Sequence, residues 1–301
     1  MSIVVVGSVG IDTIETPFGR EENVLGGSAC YFSLAARNFT DVHMVSSVGE
    51  DFPQAHSELL RSRGIDTEGV TVSSDGETFR WEGRYDYDMK DPETVSVTLG
   101  VLGSLDPVVP EKSRNADYLF LANTDPEIQL KVLEQVSSPR IVACDTMNFW
   151  IDNKLQELKT LLGRVNILII NDSEARQLSE EPLMVRAARK IMDMGPEFLI
   201  VKRGEYGALL FSREDLFFAP SYMLEQVLDP TGAGDTFAGG FMGYVASRGK
   251  DLDFAGFKKG VAYGSVLASF TVEDFSVRRL GSLRKEEIEQ RYAEFLRLST
   301  M

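Results

Sequence analysis

Between Asp229 and Met242 the chain reads Asp-Pro-Thr-Gly-Ala-Gly-Asp-Thr-Phe-Ala-Gly-Gly-Phe-Met, a run whose residue types and spacing could do chemistry. Gly232, Ala233 and Gly234 are small enough for the backbone to curl tightly, and the stretch from Thr236 to Ala246 reads as a buried helix with a small-residue face. A glycine-rich turn that opens a helix presents unpaired backbone N–H groups to an anion. Asp235 has the wrong charge to bind phosphate there. It suits a base that takes a proton from a hydroxyl while the N–H groups hold the phosphoryl charge. An ordinary glycine-rich loop ahead of a helix is the plainer alternative.

Other polar residues recur just past strand-like runs. Asp12 ends Gly7-Ser-Val-Gly-Ile-Asp12, after the apolar Ile3–Val6. In a parallel sheet, ligands bind beyond the carboxyl ends of the strands. A carboxylate there can accept hydrogen bonds from two hydroxyls of a polyol, or simply cap a turn. Val9 stands where a dinucleotide-binding turn needs its second glycine, and the chain has no Gly-x-x-x-x-Gly-Lys-Ser/Thr, so those two nucleotide motifs are not supported. Asn123, Thr124 and Asp125 follow the run ending at Leu121, and Asp145 and Asn148 follow the run ending at Cys144. Together they suggest a shared cleft, although each alone could be a helix cap. Asn171 and Glu174 lie one helical turn apart, facing one way. Glu174 could organise Mg²⁺ through its water shell, or the pair could be a capping box.

The elements that must position these residues alternate. Ile3–Val6, Val42–Val48, Tyr118–Leu121, Ile141–Cys144, Ile167–Ile170 and Phe198–Val201 read as short buried strands. Ser28–Asn38, Pro53–Arg63, Pro126–Val136 and Leu183–Met194 read as helices between them. This rhythm predicts an α/β fold with a mostly parallel central sheet flanked by helices on both faces. Residues 77–100 break it with period-two alternation, which predicts paired strands in a small β-sheet, joined by residues 13–24. Such an excursion can serve as a lid or as a dimer surface, or be a plain surface hairpin. With no repeat or linker visible, residues 1–301 are expected to form one domain.

Composition narrows the classes further. The chain has 301 residues and a formal net charge of −15, which argues against nucleic-acid or membrane-surface binding. A protein this acidic that handles nucleotides must concentrate positive charge locally or use Mg²⁺. Its two cysteines, Cys30 and Cys144, sit far apart in apolar runs, and its two histidines, His43 and His56, make a histidine metal site or a Ser-His-Asp triad a poor reading. No signal-like segment or spanning-length apolar run is evident, so a cytoplasmic protein is expected.

The Asp229–Met242 run resembles the second signature of the PfkB family, the ribokinase-like sugar and nucleoside kinases. The resemblance extends over nearly the whole chain. Leu25-Gly-Gly-Ser-Ala-Cys-Tyr31 is similar to the first signature, with Tyr31 where many members carry an Asn that touches the sugar. Val48-Gly-Glu-Asp51 is similar to a family turn, and Asn171-Asp-Ser-Glu174 to its Asn-x-x-Glu motif. Asp145-Thr-Met-Asn148 resembles an Asp-x-Asn element with one residue added, and Val201–Leu210 the nucleotide-side hairpin. The resemblance implies an ATP-dependent phosphotransferase with Asp235 as catalytic base and Gly232, Ala233 and Gly234 as anion hole. It implies acceptor contacts from Asp12, Gly26, Gly27, Tyr31, Asn123 and Asp145. It places nucleotide contacts at Asn171, Lys202, Gly204, Gly207 and Thr231, with Lys202 or Arg203 supplying phosphate charge. Mg²⁺ is implied near Glu174, held through water, and a monovalent cation such as K⁺ near Asp229. A sugar or nucleoside is the implied acceptor, and a homodimer through the small sheet the candidate assembly. The rival readings are a ribokinase-like enzyme acting on a vitamin precursor or other non-sugar substrate, and a non-catalytic nucleotide or sugar sensor.

Overall fold

The computed structural model describes residues 1–249 and 253–299. The β-branched run of β1 (Ser2–Val6) is buried on both faces, as a central parallel strand must be. The chain then leaves the main sheet for β2 (Gly10–Thr16) and β3 (Gly19–Gly26), and returns through α1 (Ser28–Ala36), β4 (Asp41–Gly49), α2 (Gln54–Ser62) and β5 (Asp66–Ser73). A second excursion supplies β6 (Phe79–Arg84) and β7 (Glu93–Thr98). Regular alternation resumes with β8 (Tyr118–Leu121), α3 (Pro126–Gln135), β9 (Ile141–Cys144), α4 (Asn148–Asn153), α5 (Leu155–Leu162) and β10 (Ile167–Asn171). After α6 (Asp172–Ser179) and α7 (Met184–Met192) come β11 (Phe198–Lys202), β12 (Ala208–Phe211) and β13 (Leu216–Ala219). Helices α8 (Ala233–Arg248), α9 (Phe254–Thr271), α10 (Arg278–Ser282) and α11 (Lys285–Ser299) complete the described chain.

The main sheet has the order β13-β12-β11-β10-β9-β8-β1-β4-β5, parallel from β5 through β11, with β12 and β13 added antiparallel at one edge. The small sheet runs β3-β2-β6-β7, and its central pair β2–β6 is parallel while the outer pairs are antiparallel. The expected α/β architecture with a separate small sheet is what the structure has. One detail differs. Asp12 is not a loop residue past β1 but sits inside β2, paired with Val24 and Trp81. The period-two pattern begins at Gly10, too soon after β1 for the two strands to be told apart by composition.

Two apolar cores cover the two faces of the main sheet, one built largely on α1, α8 and α9, the other on α3, α5, α6 and α7. The small face of α8 is there for helix packing. A side chain at Gly239 would strike the Phe32 carbonyl oxygen at 2.3 Å, and one at Gly240 would meet α9 at Leu267 Cβ and Tyr263 O, both 3.0 Å away. So α8 is wedged between α1 and α9, which fixes its first turn relative to the sheet. Cys30 and Cys144 are buried free thiols. Among the described residues, no helix is long and apolar enough to cross a membrane.

Candidate active site

Helix α8 begins at Gly232, whose φ of 72° lies in the left-handed region. A β-carbon there would also fall 2.3 Å from Cγ of Tyr31, so the turn lies flat on the tyrosine ring. Ahead of it, Asp229 is 1 % exposed, and its two carboxylate oxygens accept from Thr231 N and Ser276 N, each at 2.8 Å. These bonds fix the loop. Ala233 N donates back to Pro230 O at 3.2 Å. Among the described residues, the N–H groups of Gly232, Gly234 and Asp235 have no protein acceptor. Of the three residues expected to form an anion hole, Gly232 and Gly234 present unbonded amides. The Ala233 amide is committed to the turn, and the Asp235 amide, which sequence reasoning did not single out, is free.

The other helix start that sequence analysis singled out behaves differently. At α1, Ser28 N donates to Ser8 Oγ and Ala29 N to Ser8 O, so these donors are used within the protein. Gly26 and Gly27 are confined to glycine by what lies against them. A β-carbon at Gly26 would lie 1.9 Å from Asp12 Oδ2, and one at Gly27, where φ is 99°, would lie 2.4 Å from Ser8 O. What the paired glycines admit is the Asp12 carboxylate and the neighbouring chain.

Carboxylates gather around this helix start. Asp12 is 3 % exposed, its Oδ1 has no hydrogen-bond partner among the described residues, and burial, with the charges of Asp229 and Asp235, pushes its pKa to about 8. Asp235 keeps part of its surface open to the cleft while the surrounding protein withdraws it from bulk water. That desolvation raises its pKa to about 6 against the opposing pull of Lys202. Asp145 is buried with Oδ1 unpartnered, and is pushed well up by burial and by Asp235 and Glu174, with Lys202 acting the other way. Lys202, at the end of β11, reaches this group directly. A β-carbon on Gly234 would lie 2.8 Å from its Nζ. One lysine thus offsets Asp145, Glu174 and Asp235 beside Gly234. With Asp235 as the base, which must be ionised, kcat at saturating acceptor is expected to fall about tenfold per pH unit below pH about 6 and to level off above it. A profile flat down to pH 4.5 would exclude Asp235 as the base.

Asn171 and Glu174 form a complete capping box on α6. Asn171 Oδ1 accepts from Glu174 N at 2.8 Å, and Glu174 Oε2 accepts from Asn171 N at 2.7 Å. That leaves Glu174 Oε1 without a protein donor among the described residues. The carboxylate is buried and raised in pKa by desolvation, with Lys202 nearby. No group of three or more His, Cys, Asp or Glu residues among those described could hold a metal ion by itself. This donor set fits Mg²⁺, which keeps most of its waters and rides on phosphate oxygens. Glu174→Gln preserves the cap, since an amide oxygen can accept the same N–H, but loses the charge. It is expected to raise the Mg²⁺ concentration needed for half-maximal rate about 10- to 100-fold, read from rate against free Mg²⁺ at fixed ATP. An unchanged requirement would leave Glu174 with the cap alone. At Asp229, the residue expected near a monovalent cation, each carboxylate oxygen accepts one backbone N–H.

The remaining expected residues divide. Thr231, expected near the nucleotide, donates its hydroxyl to Tyr85 Oη at 3.1 Å. Asn123 is held by Trp150 Nε1 at 3.0 Å and by Met147 Sδ, and Asn148 is spent on Gln177. Asp125 caps α3 through Glu127 N. Asp51 accepts from the Thr78 N–H and hydroxyl and pairs with Arg80, tying the end of β4 to the small sheet. At the β11–β12 hairpin, Gly204 opens onto free space, as a close ligand approach requires. Gly207 packs against Ala219 O, so its size serves β13. Tyr85, on the small sheet, was not assigned a role from sequence because nothing in strand alternation told which way it points.

A helix start with free amides, an adjacent half-buried acid and one lysine among carboxylates lie together near the carboxyl ends of strands in a mostly parallel sheet. The chain belongs to the pfkB family of carbohydrate kinases, whose model matches residues 1–280. It is 31 % identical to a cytidine kinase of Thermococcus kodakarensis, over 84 % of this chain and 91 % of that one. Its fold superposes on the nucleoside kinase of Methanocaldococcus jannaschii with a TM-score of 0.78 at 21 % identity, covering 97 % and 98 % of the two chains. A ribokinase-type structure from E. coli, solved with ATP and Mg²⁺, gives 0.80 at 19 % identity, covering 97 % and 99 %.

Proposed function

We propose that this enzyme transfers the γ-phosphoryl group of ATP to a hydroxyl of a nucleoside or of a similar sugar-bearing acceptor. The observation that carries the reading is the first turn of α8, where free amides at Gly232, Gly234 and Asp235 stand beside the Asp235 carboxylate and Lys202. In this reading Asp12 accepts hydrogen bonds from acceptor hydroxyls. Asp235 takes the proton of the attacking hydroxyl, and the free amides hold the equatorial phosphoryl oxygens. Lys202 balances charge that would otherwise build up among Asp145, Glu174 and Asp235. Glu174 would orient the waters of Mg²⁺, which when bound neutralises the phosphate tail. Positioning supplies most of the rate. The small sheet that carries Asp12 covers the acceptor side and keeps water from the phosphoryl group. Similarity to a cytidine kinase and a nucleoside kinase supports a nucleoside acceptor over a free sugar.

The test is ADP release from Mg·ATP across a panel of nucleosides, free sugars and polyols. Release that depends on a nucleoside and is far slower with the matching free pentose supports the reading. Release with free sugars alone would move the acceptor class. ATP binding with no turnover on any member would favour a sensor.

A further inference from the structure

Thr231 and Gly232, at the turn into α8, each contact a buried tyrosine. Tyr31 of α1 lies against Gly232. Tyr85, 7 % exposed, comes from the small sheet and shares a hydroxyl–hydroxyl hydrogen bond of 3.1 Å with Thr231 across 146 residues of sequence. Tyr85 is itself anchored. Its N–H donates to Glu15 O at 2.8 Å on β2, the strand that carries Asp12. Its ring packs in a small apolar cluster with Ile14 and Phe275, flanked by Val24, Trp81 and Leu228. The cluster would hold the ring without its hydroxyl, so the polar bond to Thr231 adds something other than bulk packing.

We propose that Tyr85 is a positioning residue that latches the small sheet to the Asp229–Gly232 loop, so that seating an acceptor at Asp12 sets the free amides of α8. This rests on the kinase reading above for its functional consequence, but not for the latch itself. The mechanical path is short. Asp12 and Glu15 lie on β2, Glu15 holds the Tyr85 backbone, Tyr85 holds Thr231, and Thr231 N is bound to Asp229 as the turn into α8 begins. Tyr85 touches neither the phosphoryl oxygens nor the attacking hydroxyl in this scheme. Its effect should therefore fall on kcat and leave ground-state binding nearly alone.

The test uses the full chain and three variants, Tyr85→Phe, Thr231→Val and the double, each of which keeps the shape of the side chain. Hydrogen exchange of the Thr231 and Ala233 amides, the two that are hydrogen-bonded within the turn, is read first, because it needs no substrate. Loss of one hydrogen bond should speed exchange there about three- to tenfold in each single variant, with no further gain in the double. Unchanged exchange in Tyr85→Phe would overturn the latch whatever the enzyme acts on. With an acceptor found, Tyr85→Phe is expected to lower kcat about tenfold, with KM for ATP and for acceptor within about twofold of wild type, and the double variant to match it. Wild-type kcat in Tyr85→Phe would also overturn the proposal, as would additive losses. A rise in KM for ATP confined to Thr231→Val would give Thr231 to the nucleotide instead. Failure of wild type to turn over any acceptor counts against the kinase reading, and leaves the exchange result to decide the latch.

Discussion

Asp235→Asn is expected to lower kcat for phosphoryl transfer by roughly 10²–10⁴, the range that a positioned general base supplies. Asparagine keeps the shape and the hydrogen-bonding reach of the side chain but cannot take up the hydroxyl proton. The fold should be unharmed, because the carboxylate is already disfavoured by desolvation, and its removal also relieves Asp12 and Asp145 of a like charge. The amides of Gly232, Gly234 and Asp235 itself remain, so ATP affinity should change little. The check is a coupled assay of ADP release beside a binding titration with ATP and a melting curve. Loss of rate with ATP binding and Tm retained supports the assignment. A variant that keeps more than a tenth of wild-type kcat would remove Asp235 from the role of base.

Asp12→Asn is expected to raise the acceptor KM about 100-fold or more while making the protein more stable. The first effect follows from losing a charged acceptor for two hydroxyls, since charge-assisted hydrogen bonds are about twice as strong as neutral ones. The second follows from linkage. The unfolded chain releases the Asp12 proton near the ordinary 3.8, whereas the folded chain holds it to about 8. Between those values the native state binds the extra proton, so stability falls as pH rises through the window and the cost is largest above pH 8. Asparagine carries no such cost. A gain on the order of 2–4 kcal/mol at pH 8 is expected, shrinking toward zero near pH 4. It should appear as a Tm several degrees higher. Thermal melts of both proteins at pH 5 and pH 8 decide this, and a variant less stable than wild type at pH 8 would contradict the buried, strained carboxyl. Acceptor binding to wild type near pH 7 should in turn release up to one proton, seen in calorimetry as a dependence on buffer ionisation enthalpy.

These two aspartates show how unevenly the site could be read from the chain. Asp235 was legible because its neighbours are local. A tight turn, a helix start and an acid within four residues need only short-range geometry, and the composition of that run allows little else. The alternation of buried β-branched runs with amphipathic helices settled the main sheet on equally local grounds, and the family signatures travel with those elements. Glu174 was legible in type but ambiguous in use, since a capping box and a Mg²⁺ site call for the same letters, and the structure gives one carboxylate oxygen to the cap and leaves the other without a protein donor among the described residues.

What only the tertiary structure decided are the contacts between residues far apart in sequence. Nothing local says that the room beside Gly26 is filled by Asp12, or that Gly232 lies on Tyr31. Nor does it say that Lys202 reaches Gly234, or that the Ser8 hydroxyl and carbonyl take up the Ser28 and Ala29 donors of α1 while the Gly234 and Asp235 amides of α8 stay free. Thr231 and Tyr85 carry no signal for each other across 146 residues. The pKa values of the acids are tertiary for the same reason. A carboxyl is pushed from 3.8 to about 8 by the protein packed around it and by the like charges the fold assembles, neither of which any window of sequence contains.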